Sequence, residues 1–191
     1  MIISKNDENS AKKAAEVLKA GGIIITPTDT VYGFSGIVDL KNSDNKFKTD
    51  SRIRAIKGRS ETKPLIQLIS EPEQIKLYTD DAIPRDVLIK WPGALTVIVK
   101  IKKNSPLADE CETVAFRCPG DPWIRKVISL CNAPVYSTSV NRSGCPVLDE
   151  ISSIKAEFEN ETDTLIKHEK TLKELAEKRG LEIGMIYREV V

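Results

Sequence analysis

Apolar positions along this chain recur in two periods, and the two alternate. Ala11, Ala14, Ala15 and Leu18 fall on one helix face, with Ser10 placed to cap its start and Gly21-Gly22 to stop it. Residues 23–25 are three isoleucines in a row, the pattern of a short buried strand, and Pro27-Thr28-Asp29-Thr30 breaks it. Residues 43–57 read as a helix and 64–69 as a strand. Ser70-Glu71-Pro72-Glu73 has the form of a capping box and predicts another helix start. A helix over 84–90 must end near Pro92, because proline disfavours a helical residue before it. Strands are predicted over 95–101 and 113–118. Asp121-Pro122 then supplies a cap and a first-turn proline, and Ile124, Val127, Ile128 and Cys131 give the next helix its apolar face. Strands over 134–138 and 164–166, a charged helix from about 171 and a strand over 183–190 complete the pattern.

Such alternation argues for an α/β sandwich around one sheet, and the short links leave room for antiparallel pairs. The 191 residues suit a single domain spanning the whole chain, with no repeat or linker. A chain of this length buries roughly 70% of the surface its unfolded form exposes, so it needs no staples. No apolar run approaches the roughly 20 residues of a membrane helix. The N-terminal segment lacks the apolar stretch of a signal peptide, so a cytoplasmic location and no membrane partner are expected.

Charge narrows the chemistry. Lys and Arg number 29 against 28 Asp and Glu, a net charge of +1. No global field draws the protein to nucleic acid or membrane, and an anion site must be built locally. The one histidine, His168, sits in a charged segment and reads as a solvated residue. Histidine-based metal motifs and Ser–His triads therefore lack material. The four cysteines form no C-x-x-C pair and read as buried thiols.

No glycine-rich phosphate loop occurs, so a phosphate site would have to use side chains and irregular loops. Four segments could supply one. Residues 27–33, Pro-Thr-Asp-Thr-Val-Tyr-Gly, follow a strand, where α/β proteins place ligands; they also suit a polar turn capped by its own Thr and Asp. Lys57-Gly58-Arg59 with Lys63 makes a cationic cluster. It fits either a solvated helix end or a triphosphate clamp, with Arg59 as planar fork and Lys57 as point charge. Arg117 ends an apolar strand and needs a partner if buried: a carboxylate of the protein or one of a substrate. Residues 137–144, Ser-Thr-Ser-Val-Asn-Arg-Ser-Gly, are dense in small polar groups that can bind phosphate oxygens or form an ordinary loop.

Taken together, GGIIITPTDTVYGFSG, KGR with KPL shortly after, WPGALTVIV, TVAFRCP and APVYSTSVNRSG run in one order over roughly 11–155. In that order they resemble the YrdC/TsaC family of threonylcarbamoyl-AMP synthases. The resemblance implies a single twisted sheet of parallel and antiparallel strands with flanking helices around a positively lined cavity. It implies nucleotide contacts from Lys57, Arg59, Ser139 and Asn141, which would also be the catalytic set, and from Arg188 in the closing strand. It implies L-threonine contacts from Thr30, Tyr32, Thr113, Arg117 and Ser137, with Arg117 on the substrate carboxylate. The implied reaction makes L-threonylcarbamoyl-AMP from ATP, bicarbonate and L-threonine with release of pyrophosphate. Mg²⁺ would accompany the ATP, no metal site would be built from protein side chains, and the product would pass to a tRNA threonylcarbamoyl transferase. Many members carry a P-S-T-V motif after the S-x-N segment; here residues 167–182 are charged and lack it. That departure leaves open a paralogue similar to the YciO branch, or a double-stranded RNA-binding module without synthase activity. Near-neutral charge speaks against the RNA module.

Overall fold

The computed structural model describes residues 1–58, 64–108 and 111–168, and the backbone of 188–190. Strands β1 (Ile2–Ser4), β2 (Ile24–Pro27), β3 (Tyr32–Ile37), β4 (Ile66–Leu68), β5 (Thr96–Lys100), β6 (Thr113–Arg117), β7 (Val135–Ser139), β8 (Thr164–Lys167) and β9 (Arg188–Val190) form one sheet. Their order is β1-β8-β2-β3-β7-β4-β6-β5-β9. Parallel pairs such as β2 with β8 and β4 with β6 mix with antiparallel pairs such as β3 with β7 and β5 with β6. The α/β arrangement expected from the alternation, and the mixed sheet implied by the family resemblance, are both present.

Helices α1 (Ser10–Lys19) and α4 (Pro122–Cys131) pack on one face of the sheet. Their Ala14, Leu18, Ile124 and Ile128 meet Ile24, Leu68, Val135 and Ile166. Helices α2 (Thr49–Lys57), α3 (Arg85–Leu88) and α5 (Ile151–Phe158) pack on the other face. There Ile53, Val87, Ile154 and Phe158 join Ile25, Phe34, Val97 and Phe116 in the larger core. Each strand divides its residues between the two faces because successive side chains point to opposite sides.

Several local expectations shift. Asn9, in the left-handed region, occupies the N-cap of α1. Ser10 lies inside that helix; its hydroxyl donates to Lys5 O at 2.8 Å and accepts from Trp123 Nε1 at 2.9 Å. The helix expected over 43–57 begins only at Thr49, since Lys48 adopts φ 50° and Phe47 and Lys48 donate their N–H groups to Asp39. Glu71 and Gln74, not Ser70 and Glu73, form the capping box, and the element it opens is a 3₁₀ helix, Pro72–Leu77. Asp121 caps α4 as expected, accepting from Trp123 N at 2.8 Å. Strands β1 and β3 and helix α5 were not anticipated from the pattern. The charged helix from about 171 and most of the 183–190 strand lie outside the described residues.

The thiols divide. Cys118 and Cys131 are buried; Cys111 and Cys145 are exposed, which corrects the expectation of four buried thiols. Burial pushes Cys118 up to about 11 and Cys131 up to about 12, because an apolar setting disfavours the thiolate. At pH 8 a thiolate-selective reagent should therefore label Cys111 and Cys145 in the native protein. Labelling of Cys118 and Cys131 should require denaturation. Peptide mapping after alkylation checks this, and rapid native labelling of either buried thiol would contradict it.

Candidate functional site

Among the described residues, helices cover only part of the α1/α4 face. Register pairing places Val135 beside Leu68 and Leu68 beside Arg117, so these three share that face. Alternation along β7 then brings Ser137 and Ser139 to the same side, and along β6 Thr113 and Ala115. Ser137, Ser139, Ile66 and Ala115 are half-buried and Thr113 is exposed. No described helix packs on this stretch, which forms the floor of the candidate site. Gly33 pairs with Ser139 and lies on the floor as well. A Cβ at Gly33 would stand 3.1 Å from Ser137 Oγ and 3.6 Å from Thr28 Cγ2. Glycine thus lets the turn after β2 fold over the floor.

That turn is held by Thr28. Its hydroxyl donates to Val31 O at 2.7 Å, accepts from Thr30 N at 3.2 Å, and lies 3.2 Å from Thr30 Oγ1. The turn aims Asp29 at Arg117. Asp29 Oδ1 accepts from Arg117 Nη2 at 2.8 Å, and Asp29 Oδ2 accepts from Gly120 N at 3.0 Å. Arg117 Nε donates to Gly93 O at 3.2 Å. The side chains of Arg117 and Asp29 are only 10% and 4% exposed, so this is a buried pair. The protein carboxylate left open as one partner for Arg117 is Asp29. Among the described residues Nη1 of Arg117 has no hydrogen-bond partner, so one donor edge of the guanidinium remains for a ligand.

The opposite end of the floor is organised by Lys57, which α2 delivers from beneath the sheet and which is 3% exposed. Its ammonium donates to Ser139 O, to Asn141 O at 2.9 Å and to Asn141 Oδ1 at 2.7 Å. Ser139 Oγ also donates to Asn141 Oδ1, at 2.7 Å. Asn141 Nδ2 donates to Arg142 O at 3.0 Å and to Cys145 O at 2.7 Å. Ser143 N closes the contact by donating to Lys57 O at 2.7 Å. Gly58 follows in the left-handed region, with φ 59°, and ends α2 there.

The expected site residues therefore separate. Lys57, Ser139 and Asn141 meet in one cluster, and Thr30, Ser137 and Arg117 border the floor. Continuing the β4 register to Pro64 sets Thr113 level with Ser139, four residues or roughly 13 Å from Arg117 along the strand. Thr113 thus stands apart from Arg117 and nearer the Ser139 end. Tyr32 differs more. It is 2% exposed, its ring belongs to the core on the opposite face, and its hydroxyl accepts from His168 N at 3.2 Å. Burial raises the pKa of that phenol further. His168 is half-buried rather than solvated. Arg59 lies outside the described residues, and Arg188 enters only through the backbone of β9, paired with Thr96. Asp29 and Arg142 were missed as contributors. Asp29 sits in an informative segment, but its pairing across 88 residues is not readable from spacing.

A buried guanidinium–carboxylate pair and a lysine-tied Ser/Asn loop flank one sheet face of this α/β domain. The chain belongs to the Sua5/YciO/YrdC family: the family model, described as Telomere recombination, matches residues 16–177. It is similar to a threonylcarbamoyl-AMP synthase of Pseudoalteromonas translucida (strain TAC 125), with 31% identity over 160 residues, covering 80% of this chain and 82% of that protein. A Bacillus subtilis (strain 168) protein of the same name is 36% identical over 150 residues, covering 75% of this chain and 41% of the longer relative. Among solved structures, P. abyssi Sua5 complexed with L-threonine superposes with a TM-score of 0.73 at 26% identity, covering 88% of this chain and 50% of that one. E. coli YciO shares the fold, with a TM-score of 0.70 at 22% identity over 87% of this chain and 82% of its own.

Proposed function

We propose that this protein makes L-threonylcarbamoyl-AMP from ATP, bicarbonate and L-threonine, releasing pyrophosphate. The observation that carries the reading is the shared floor. One end presents a buried arginine with a donor edge to spare, and the other presents the Lys57–Ser139–Asn141 loop. The family membership and the naming of its relatives support the same reading.

Arg117 holds the threonine carboxylate, with Thr30 and Ser137 beside it. Ser139 faces the nucleotide with Thr113 at that end, Lys57 and Asn141 hold the loop that carries Ser139, and the family motif adds Arg59 and Arg188 as nucleotide contacts. The threonine amine adds to carbon dioxide derived from bicarbonate, losing a proton and giving a carbamate. A carbamate oxygen attacks the α-phosphorus, the bond to the β-phosphate oxygen breaks, and pyrophosphate leaves. The protein supplies positioning and charge neutralisation rather than a nucleophile, as in phosphoryl transfer generally.

Among the described residues no group of three His, Cys, Asp or Glu side chains could hold a metal ion, and both oxygens of Asp29 are engaged. Magnesium is proposed to arrive with ATP, held by phosphate oxygens and water. Bound there, the ion would offset triphosphate charge. The product is proposed to pass to a separate tRNA threonylcarbamoyl transferase. No helix among the described residues is long and apolar enough to cross a membrane; a cytoplasmic setting is proposed.

Pyrophosphate release from ATP tests the reading. Release should require L-threonine and fall when bicarbonate is removed. Salt-steep binding of double-stranded RNA without threonine-dependent release would instead establish an RNA module. Nucleotide binding without release would establish a YciO-like protein.

A further inference from the structure

We infer that Lys57 is a positioning residue: its buried ammonium sets the shape of the 139–145 loop that meets the nucleotide, and it does not itself clamp phosphate. The inference rests on the nucleotide reading of this face.

An ammonium has three N–H donors. Three acceptors already surround that of Lys57: Ser139 O, Asn141 O and Asn141 Oδ1. The site is almost closed to water, at 3% exposure, and the Phe34 ring lies 5.5 Å below the charge. A phosphate clamp needs donors aimed outward, and here the donors point into the loop. Asn141 is equally committed. Its Oδ1 accepts from two donors, and both Nδ2 hydrogens are given to backbone carbonyls.

These bonds join segments more than 80 residues apart in sequence. Lys57 also accepts from Ser143 N through its own carbonyl, so it grips the loop at both ends. From the outside, Arg142 stacks over Phe158 at 4.7 Å and pairs with Glu157 at 2.7 Å. The loop is thus fixed before any ligand arrives. Preorganised loops bind ligands more tightly because the ordering cost is met in folding. The positive charge still favours phosphate nearby, but as a fixed field rather than a contact.

The test uses the full chain and three measurements. The first is hydrogen exchange of residues 139–145 without ligand. The second is the affinity for ATP with magnesium, and the third the KM for L-threonine. Lys57→Met keeps the stem and removes the donors. It should speed exchange across the loop and weaken ATP about 10- to 100-fold, while the threonine KM changes less than about 3-fold. Asn141→Ala, placed in a half-exposed loop and less prone to unfold the protein, should produce the same pattern. Combined with Lys57→Met it should cost less than the product of the single effects, because both act through one cluster.

Weakened ATP binding with unchanged ligand-free exchange would overturn the inference in favour of a direct clamp. Faster exchange with unchanged ATP affinity would overturn it in favour of a purely structural lysine. If Lys57→Met fails to fold, Asn141→Ala decides by the same two readouts. Failure of the wild-type protein to bind ATP would remove the nucleotide reading itself, and the exchange comparison would still judge the hold of Lys57 on the loop.

Discussion

Replacing Arg117 by methionine should raise the KM for L-threonine about 10- to 100-fold, the worth of one charge-assisted contact, and leave that for ATP within about 3-fold. The same change should lower folding stability by about 3–5 kcal/mol, because it strands a buried carboxylate. Asp29 is 4% exposed, and without Arg117 only Gly120 N would remain on it. Asp29→Asn separates the two effects. It keeps the shape and one acceptor oxygen while removing the charge, so Arg117 loses orientation but stays in place. Its threonine KM should rise less than that of Arg117→Met, with ATP again little affected. Steady-state kinetics with each substrate varied, beside urea melts, check both variants. Equal effects on the two KM values would remove the carboxylate assignment and leave Arg117–Asp29 as a purely structural pair.

Phe158→Ala should lower folding stability by about 3–5 kcal/mol. For a chain of this size that is a fall of roughly 6–20 °C in Tm. Phe158 is fully buried and meets Phe34 edge to face, with centroids 4.9 Å apart and an interplanar angle of 89°. Arg142 covers the ring from outside, and its guanidinium also pairs with Glu157 and Glu161 around the end of α5. Truncation therefore empties a core site and unseats the residue beside Asn141. A Phe158→Leu variant, which refills most of the volume, should recover more than half of the lost stability. Calorimetry on the pair checks this. A loss below about 1 kcal/mol for the alanine variant would show that the α5 end collapses around the gap.

The helical faces of α1 and α4 were legible because their spacing is local. Every apolar residue proposed for them, from Ala11 to Cys131, is buried against the sheet. The Asp121 cap and the isoleucine strand were legible for the same reason. Helix α5 and strand β1 were not, since both are short and gain their order from packing. Ile154 and Phe158 are buried in the larger core, and β1 pairs only with β8 at the far end of the chain. Tyr32 was misplaced because the two faces of a strand are one residue apart. Its neighbour Gly33 lies on the floor, whereas Tyr32 points into the core.

The sequence by itself determined the alternation of strands and helices, the family, and the segments that would carry chemistry. Local periodicity and short motifs are written within a few residues of one another. Only the tertiary structure decided the partners. That Arg117 answers to Asp29, and that Lys57 turns its donors inward to Ser139 and Asn141, depends on contacts across 80 residues or more. A buried charge takes whatever acceptor the fold brings within about 3 Å, and strand order and register set that distance, not spacing along the chain.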